Sequence, residues 1–324
     1  MPLTFDLPLN ELKDYKGITP CPKDFDAYWE KALEEMRALD PQLELIPADF
    51  QVPGVECFHM YYSGVNGARV HAKFMRPAKI EKPCPVVLMF HGYSCDAGDW
   101  NHKLGYVAQG FMVAAMDCRG QGGLSEDAGG VHGNTLHGHI IRGLTDGLEG
   151  NAEKLLYRSI FLDAAQLAKI MIEMPESDET RVYATGWSQG GGLTVACSAL
   201  EPRIKKAAPV YPFLSDYKRV WDMDLALDAY LELKEYFRRF DPQHKKEDAI
   251  FETLGYIDIQ NLAGRIKAEL LWGTGLMDTV CPPSTQFAAY NKVKSKKRMA
   301  IFPDFRHEDL PGLNDEIMQF FLAD

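Results

Sequence analysis

The sequence predicts an α/β protein built on a mostly parallel, doubly wound sheet, and three observations carry that prediction. Residues 85–90, 111–116, 181–185, 268–272 and 299–302 are short, continuously apolar runs flanked by turn residues. Strands buried on both faces read this way, and parallel sheets bury both faces. Longer stretches with helical spacing, residues 153–174 and 189–200, lie between those runs, and strands alternating with helices specify a layered α/β core. The third observation is size: 324 residues with 46% hydrophobic content suit a packed globule rather than a disordered chain.

Residues 24–39 open the chain's regular structure with an amphipathic helical pattern behind Asp24 as a possible cap, closed by Pro41. Between Val55 and Pro77, two alternating runs flank Gly64-Val65-Asn66-Gly67, which describes an antiparallel hairpin placed before the main sheet. Two segments interrupt the later alternation. Residues 120–150 are rich in glycine and histidine, and residues 216–259 read as two or three short helices heavy with aromatics and charge. The expected organisation is a single unit over residues 1–324. It carries an N-terminal helix and hairpin extension over residues 1–80 and a helical insertion over residues 212–262, serving as a cap or an interface.

Composition excludes several functions. A net charge of −11 disfavours phosphate tracking, so no nucleic-acid partner is expected. The N-terminus lacks a basic region followed by an apolar core, and no later stretch is long enough to span a bilayer. A soluble, cytoplasmic protein is the expectation. Seven scattered cysteines without a Cys-x-x-Cys pair suggest neither a disulfide framework nor a thiolate zinc site.

The chemistry is concentrated at Gly186-Trp187-Ser188-Gln189-Gly190, which follows a β-branched run and opens a helical one. This is the pattern of a nucleophile elbow, with glycines where a Cβ would crowd the turn. Glycine-flanked serines also occur in ordinary turns, so the elbow means catalysis only if an acid and a histidine follow. Both do so, in the Ser, Asp, His order of α/β-hydrolases. Asp278 lies beyond the run 268–272, and His307 lies beyond 299–302. Asp304 is the competing acid, since it neighbours His307 in sequence. Asp278 is preferred because the fold places the acid on the preceding strand's loop.

Acyl transfer also needs donors for the oxyanion. The Gln189 backbone N–H is one, and the Tyr93 backbone N–H, after His91-Gly92 at the end of the run 85–90, is the candidate second. The alternative is that His91-Gly92 only makes a tight turn. Arg119, in Arg119-Gly120-Gln121, either binds an anionic substrate or, preferably, anchors loops by bidentate pairing. His132, His137 and His139 invite a metal reading but lack helical ligand spacing, so loop packing is preferred and neither metal nor cofactor is expected. Trp221, Tyr230, Tyr236 and Phe237 are read as core or subunit contacts rather than sugar ligands.

Taken together, Arg119-Gly120-Gln121, the elbow and His307-Glu308 resemble the signature of carbohydrate esterase family 7, the acetyl xylan esterases and cephalosporin C deacetylases. The likeness extends to His91-Gly92-Tyr93, to residues 138–143, and to Asp278 before Cys281-Pro282-Pro283. It implies Ser188 as nucleophile, His307 as general base and acid, Asp278 as its partner, and Tyr93 and Gln189 as oxyanion donors. It further implies removal of acetyl groups from xylooligosaccharides and cephalosporin C inside the cell, by a hexamer with its active sites facing an interior. A peptidase or general esterase on the same fold, and a noncatalytic carbohydrate-binding relative, are the rival readings.

Overall fold

The computed structural model describes residues 5–127 and 138–323. These residues form a nine-stranded sheet with the order β1-β2-β3-β5-β4-β6-β7-β8-β9. Strands β1 (Glu44–Pro47), β2 (Val55–Ser63) and β3 (Arg69–Pro77) are antiparallel, and β3 pairs antiparallel with β5 (Met112–Met116). From β5 onward every pairing is parallel, through β4 (Cys84–Phe90), β6 (Ser177–Trp187), β7 (Lys206–Val210), β8 (Glu269–Gly275) and β9 (Lys297–Phe302).

The apolar runs are continuous because successive residues of one strand enter different cores. Val86, Leu88 and Phe90 of β4 pack into one cluster with the helices Phe25–Arg37, Leu156–Glu173 and Gln189–Leu200. Val87 packs into a second cluster, with the helix Leu313–Leu322 contributing Leu313, Ile317, Phe320 and Phe321. Side chains alternate across a strand, so both faces must be apolar to feed two cores.

The hairpin is found where it was expected, but it extends the main sheet through the β3–β5 pairing rather than only preceding it. Asp24 makes no side-chain cap hydrogen bond to the helix Phe25–Arg37. The long helix begins at Leu156, because residues Ala152–Lys154 form a separate 3-10 turn. Two strands went unread. β7 is Lys-Ala-Ala-Pro-Val, a sequence of small residues and a proline with little strand propensity of its own, held in place by β6 and β8. β1 is four residues long and mostly exposed, so it offers no buried alternation to read.

Residues 212–262, expected to form a helical insertion, contain the helices Tyr217–Asp222, Leu231–Phe240 and Glu247–Leu254. The aromatics read as core contacts pack inward: Tyr230, Tyr236 and Phe237 are buried, and half-buried Trp221 stacks on Phe237 at 4.3 Å. Among the described residues, no helix is long and apolar enough to cross a membrane.

Candidate active site

Ser188 stands between β6 and the helix Gln189–Leu200 with φ 57° and ψ −117°, a conformation an L-residue adopts only when its surroundings impose it. Those surroundings are backbone contacts. The Ser188 N–H donates to Val210 O at 3.0 Å, and the Ser188 carbonyl accepts from Gly192 N at 3.0 Å and Phe213 N at 2.9 Å. Glycine is required on both sides: a Cβ at Gly190 would lie 2.0 Å from Phe90 O, and one at Gly186 would lie 2.5 Å from the Gly190 carbonyl. The turn is therefore pressed against the end of β4, which brings the β4 loop beside it.

Asp278 is fully buried beyond β8, and His307 follows β9. Asp278 Oδ1 accepts from Val280 N at 2.9 Å and Cys281 N at 2.8 Å, while Oδ2 lies 2.8 Å from His307 Nδ1. A carboxylate only accepts, so Nδ1 carries the proton and Nε2 is left as the basic nitrogen. The two loops are locked together where Met277 N donates to Phe305 O, and a Cβ at Gly275 would lie 2.5 Å from that same oxygen. Asp304 is exposed, and the acid paired with His307 is Asp278. His59 and His71 are engaged elsewhere, in a chain to Asp117 through contacts of 2.8 and 2.6 Å.

Cys281 was not singled out from sequence as a site residue, and it lies beside the acid–histidine pair. Its buried sulfur is close to the Ser188 side chain and lies within 4.8 Å of the ligand atoms of Asp278 and His307. Burial holds its thiol well above the ordinary range, so it remains protonated. Its signal in the sequence is its spacing of three from Asp278. As metal ligands this group is poorly disposed, with imidazole and carboxylate bonded to one another and the thiol neutral.

The oxyanion candidates lie on adjoining segments. His91 Nδ1 donates to Gly92 O at 2.7 Å and its Nε2 accepts from Cys118 N at 3.0 Å, which fixes the loop after β4. Gln189 and Gln121 form a reciprocal amide pair at 2.7 and 3.0 Å. Tyr157 donates to Gln189 Oε1 at 2.7 Å, and Ser94 N donates to Gln121 Oε1 at 3.0 Å. Gln121 thus ties the elbow helix to the Tyr93 loop. Arg119 is buried in a bidentate pair with Asp163 at 2.5 and 2.7 Å and donates to Val65 O, so it anchors the chain and faces no cleft. His139 packs edge-on against Tyr93 at 4.9 Å, and burial lowers its pKa to about 4. His132 and His137 lie outside the described residues.

The chain matches the acetyl xylan esterase (AXE1) family over residues 1–324. It belongs to that family. It is similar to the solved acetyl xylan esterase 1 from Thermoanaerobacterium sp. JW/SL YS485, with 58% identity, a TM-score of 0.96, and 98% of this chain and 99% of that one covered. It is also similar to the acetyl xylan esterase from Paenibacillus sp. R4, with 33% identity, a TM-score of 0.92 and the same coverage. The curated acetyl esterase Axe7A of Xylanibacter ruminicola is 24% identical over 294 residues, 90% of this chain, and the match spans 65% of that relative's length. A Pyrococcus horikoshii acylaminoacyl peptidase, at 18% identity and a TM-score of 0.57 over 83% of this chain and 40% of its own, shares the fold alone. The α/β-hydrolase architecture expected for this esterase family member is the one observed.

Proposed function

We propose that the protein is a serine carboxylesterase that removes acetyl groups from acetylated xylooligosaccharides and small acetyl esters such as cephalosporin C. The observation that carries this reading is the bonding of buried Asp278 to half-buried His307, beside Cys281, together with a serine held at φ 57° on an elbow. His307 Nε2 takes the Ser188 proton as the hydroxyl attacks the acetyl carbonyl. The backbone N–H groups of Tyr93 and Gln189 receive the oxyanion, a term on the order of 3 kcal/mol per donor. Gln189 suits this role because the first N–H groups of a helix have no intrahelical acceptor. Collapse expels the sugar alcohol, protonated by His307, and leaves an acetyl-serine. Water deprotonated by His307 then attacks, releasing acetate and restoring Ser188.

The same proposal treats residues 1–324 as one α/β-hydrolase unit with an insertion over residues 212–262. It extends to a cytoplasmic hexamer, supported by family likeness alone. Ser188→Ala is expected to abolish p-nitrophenyl acetate turnover and fluorophosphonate labelling while leaving the circular dichroism spectrum unchanged. Turnover near the wild-type level in that variant would remove the reading. A noncatalytic relative would leave Ser188 unlabelled in the wild type. Comparison of acetyl with butyryl and longer esters tests the small acyl site, and acetylated xylooligosaccharides and cephalosporin C test the alcohol side.

A further inference from the structure

Glu232 lies in the first turn of the helix Leu231–Phe240, within the insertion, and its side chain is buried. A buried carboxylate is costly unless donors surround it. Here the Tyr93 hydroxyl donates to Oε1 at 2.7 Å and Ile141 N donates to Oε2 at 3.0 Å. The approach is close enough that a Cβ at Gly138, where φ is +91°, would lie 2.3 Å from Oε2. Residues 138–141, conspicuous in the sequence but unused by the triad, are therefore the cradle of this carboxylate.

Tyr93 is held at two points. The carbonyl of the Gly92–Tyr93 peptide accepts from His91 Nδ1 at 2.7 Å and Cys95 N at 3.2 Å. In a trans peptide the N–H points opposite to the carbonyl, so these bonds aim the Tyr93 N–H the other way. Among the described residues, no acceptor takes that N–H. The second point is the side chain, its ring edge-on to His139 and Phe213 at 4.9 and 5.5 Å and its hydroxyl on Glu232.

We propose that Glu232 is a positioning residue for ester hydrolysis: by accepting the Tyr93 hydroxyl, it fixes the Tyr93 backbone N–H on the developing oxyanion and so couples the helical insertion to the catalytic step. This rests on the reading of Ser188 as nucleophile and of Tyr93 as an oxyanion donor. A donor displaced from the oxyanion weakens the transition state more than the bound ester, because full charge develops only at the tetrahedral stage.

The test compares Tyr93→Phe, Glu232→Gln and the double variant on p-nitrophenyl acetate, with a phenylboronic acid as tetrahedral-adduct probe. Each single variant is expected to lower kcat by about 10- to 100-fold, less than or comparable to outright loss of a donor. KM should stay within about two-fold, and boronic acid affinity should fall in parallel with kcat. The double variant should be no worse than the more impaired single, because both act on one contact: Phe removes its donor, and Gln, whose single oxygen is drawn to the Ile141 N–H, replaces the acceptor that faces the hydroxyl with an NH2. Should Glu232→Gln fail to fold, Tyr93→Phe, which deletes one oxygen from a half-buried ring, carries the test with the same kcat and boronic acid readouts. A kcat within two-fold of wild type in Tyr93→Phe, or losses that multiply in the double variant, would overturn the role of Glu232 while Ser188→Ala stays inactive. Activity surviving Ser188→Ala would instead remove the underlying reading.

Discussion

Replacement of Asp278 by Asn changes one atom in a site whose geometry dictates the outcome. Asp278 Oδ1 accepts two backbone N–H groups, from Val280 and Cys281, and only the amide oxygen of an asparagine can do the same. The oxygen is therefore held on that side, and the NH2 group faces His307 Nδ1, now 2.8 Å from a carboxylate oxygen. A donor there makes Nδ1 the acceptor and moves the imidazole proton to Nε2, where it can no longer remove the serine proton. The wrong tautomer costs about ten-thousand-fold in kcat, about 5 kcal/mol of barrier, in triads of this design. The assay is steady-state hydrolysis of p-nitrophenyl acetate at neutral pH, with thermal unfolding to show that the fold is retained. A folded Asp278→Asn variant within ten-fold of wild-type kcat would refute the tautomer argument, and an inactive Asp304→Asn beside it would transfer the acid role.

The remaining predictions concern the scaffold. Gly190→Ala drives a Cβ to 2.0 Å from Phe90 O, so chemical denaturation should show a loss of about 3 kcal/mol or more, with activity lost in the surviving folded protein. Arg119→Met leaves Asp163 buried without its partner and should cost about 3–5 kcal/mol in the same measurement, an outcome a surface anion-binding arginine would not produce. Burial raises Glu232 from its ordinary 4.5 to about 7, so the folded state holds a proton that the unfolded chain releases. Stability from this group is full below about pH 4.5 and is lost as pH rises toward 7, by about 3 kcal/mol. Glu232→Gln should lack that part of the slope between pH 4.5 and 7, and an identical slope in both proteins would contradict it.

How far the fold could be read tracks how locally its causes act. The elbow was legible because two glycines, a strand and a helix must sit next to Ser188 in sequence, and the helix Gln189–Leu200 begins and ends where its spacing placed it. β7 was not, because Lys-Ala-Ala-Pro-Val has no strand preference until β6 and β8 flank it. The order Ser188, Asp278, His307 follows from strand order, and the choice of Asp278 over Asp304 followed from the fold rather than from proximity in the chain.

From sequence alone came the doubly wound class, the elbow, the ordered acid and histidine, and the resemblance that narrows the chemistry to small acyl esters. The class and the elbow are determined by periodicity and by residues within one turn or strand of each other, the acid and histidine by their place after later strands, and the narrowing to small acyl esters by the family resemblance. The tertiary structure alone decided what long-range contacts hold those groups. It put the Asp278 carboxylate on His307 Nδ1, Cys281 against Ser188, Arg119 in a buried pair with Asp163, and Glu232, 139 residues away in sequence, on the Tyr93 hydroxyl. Nothing within a local stretch of chain encodes such pairings, because a carboxylate reads the same in sequence whether its partner is water or a hydroxyl brought to it by the closing of the core.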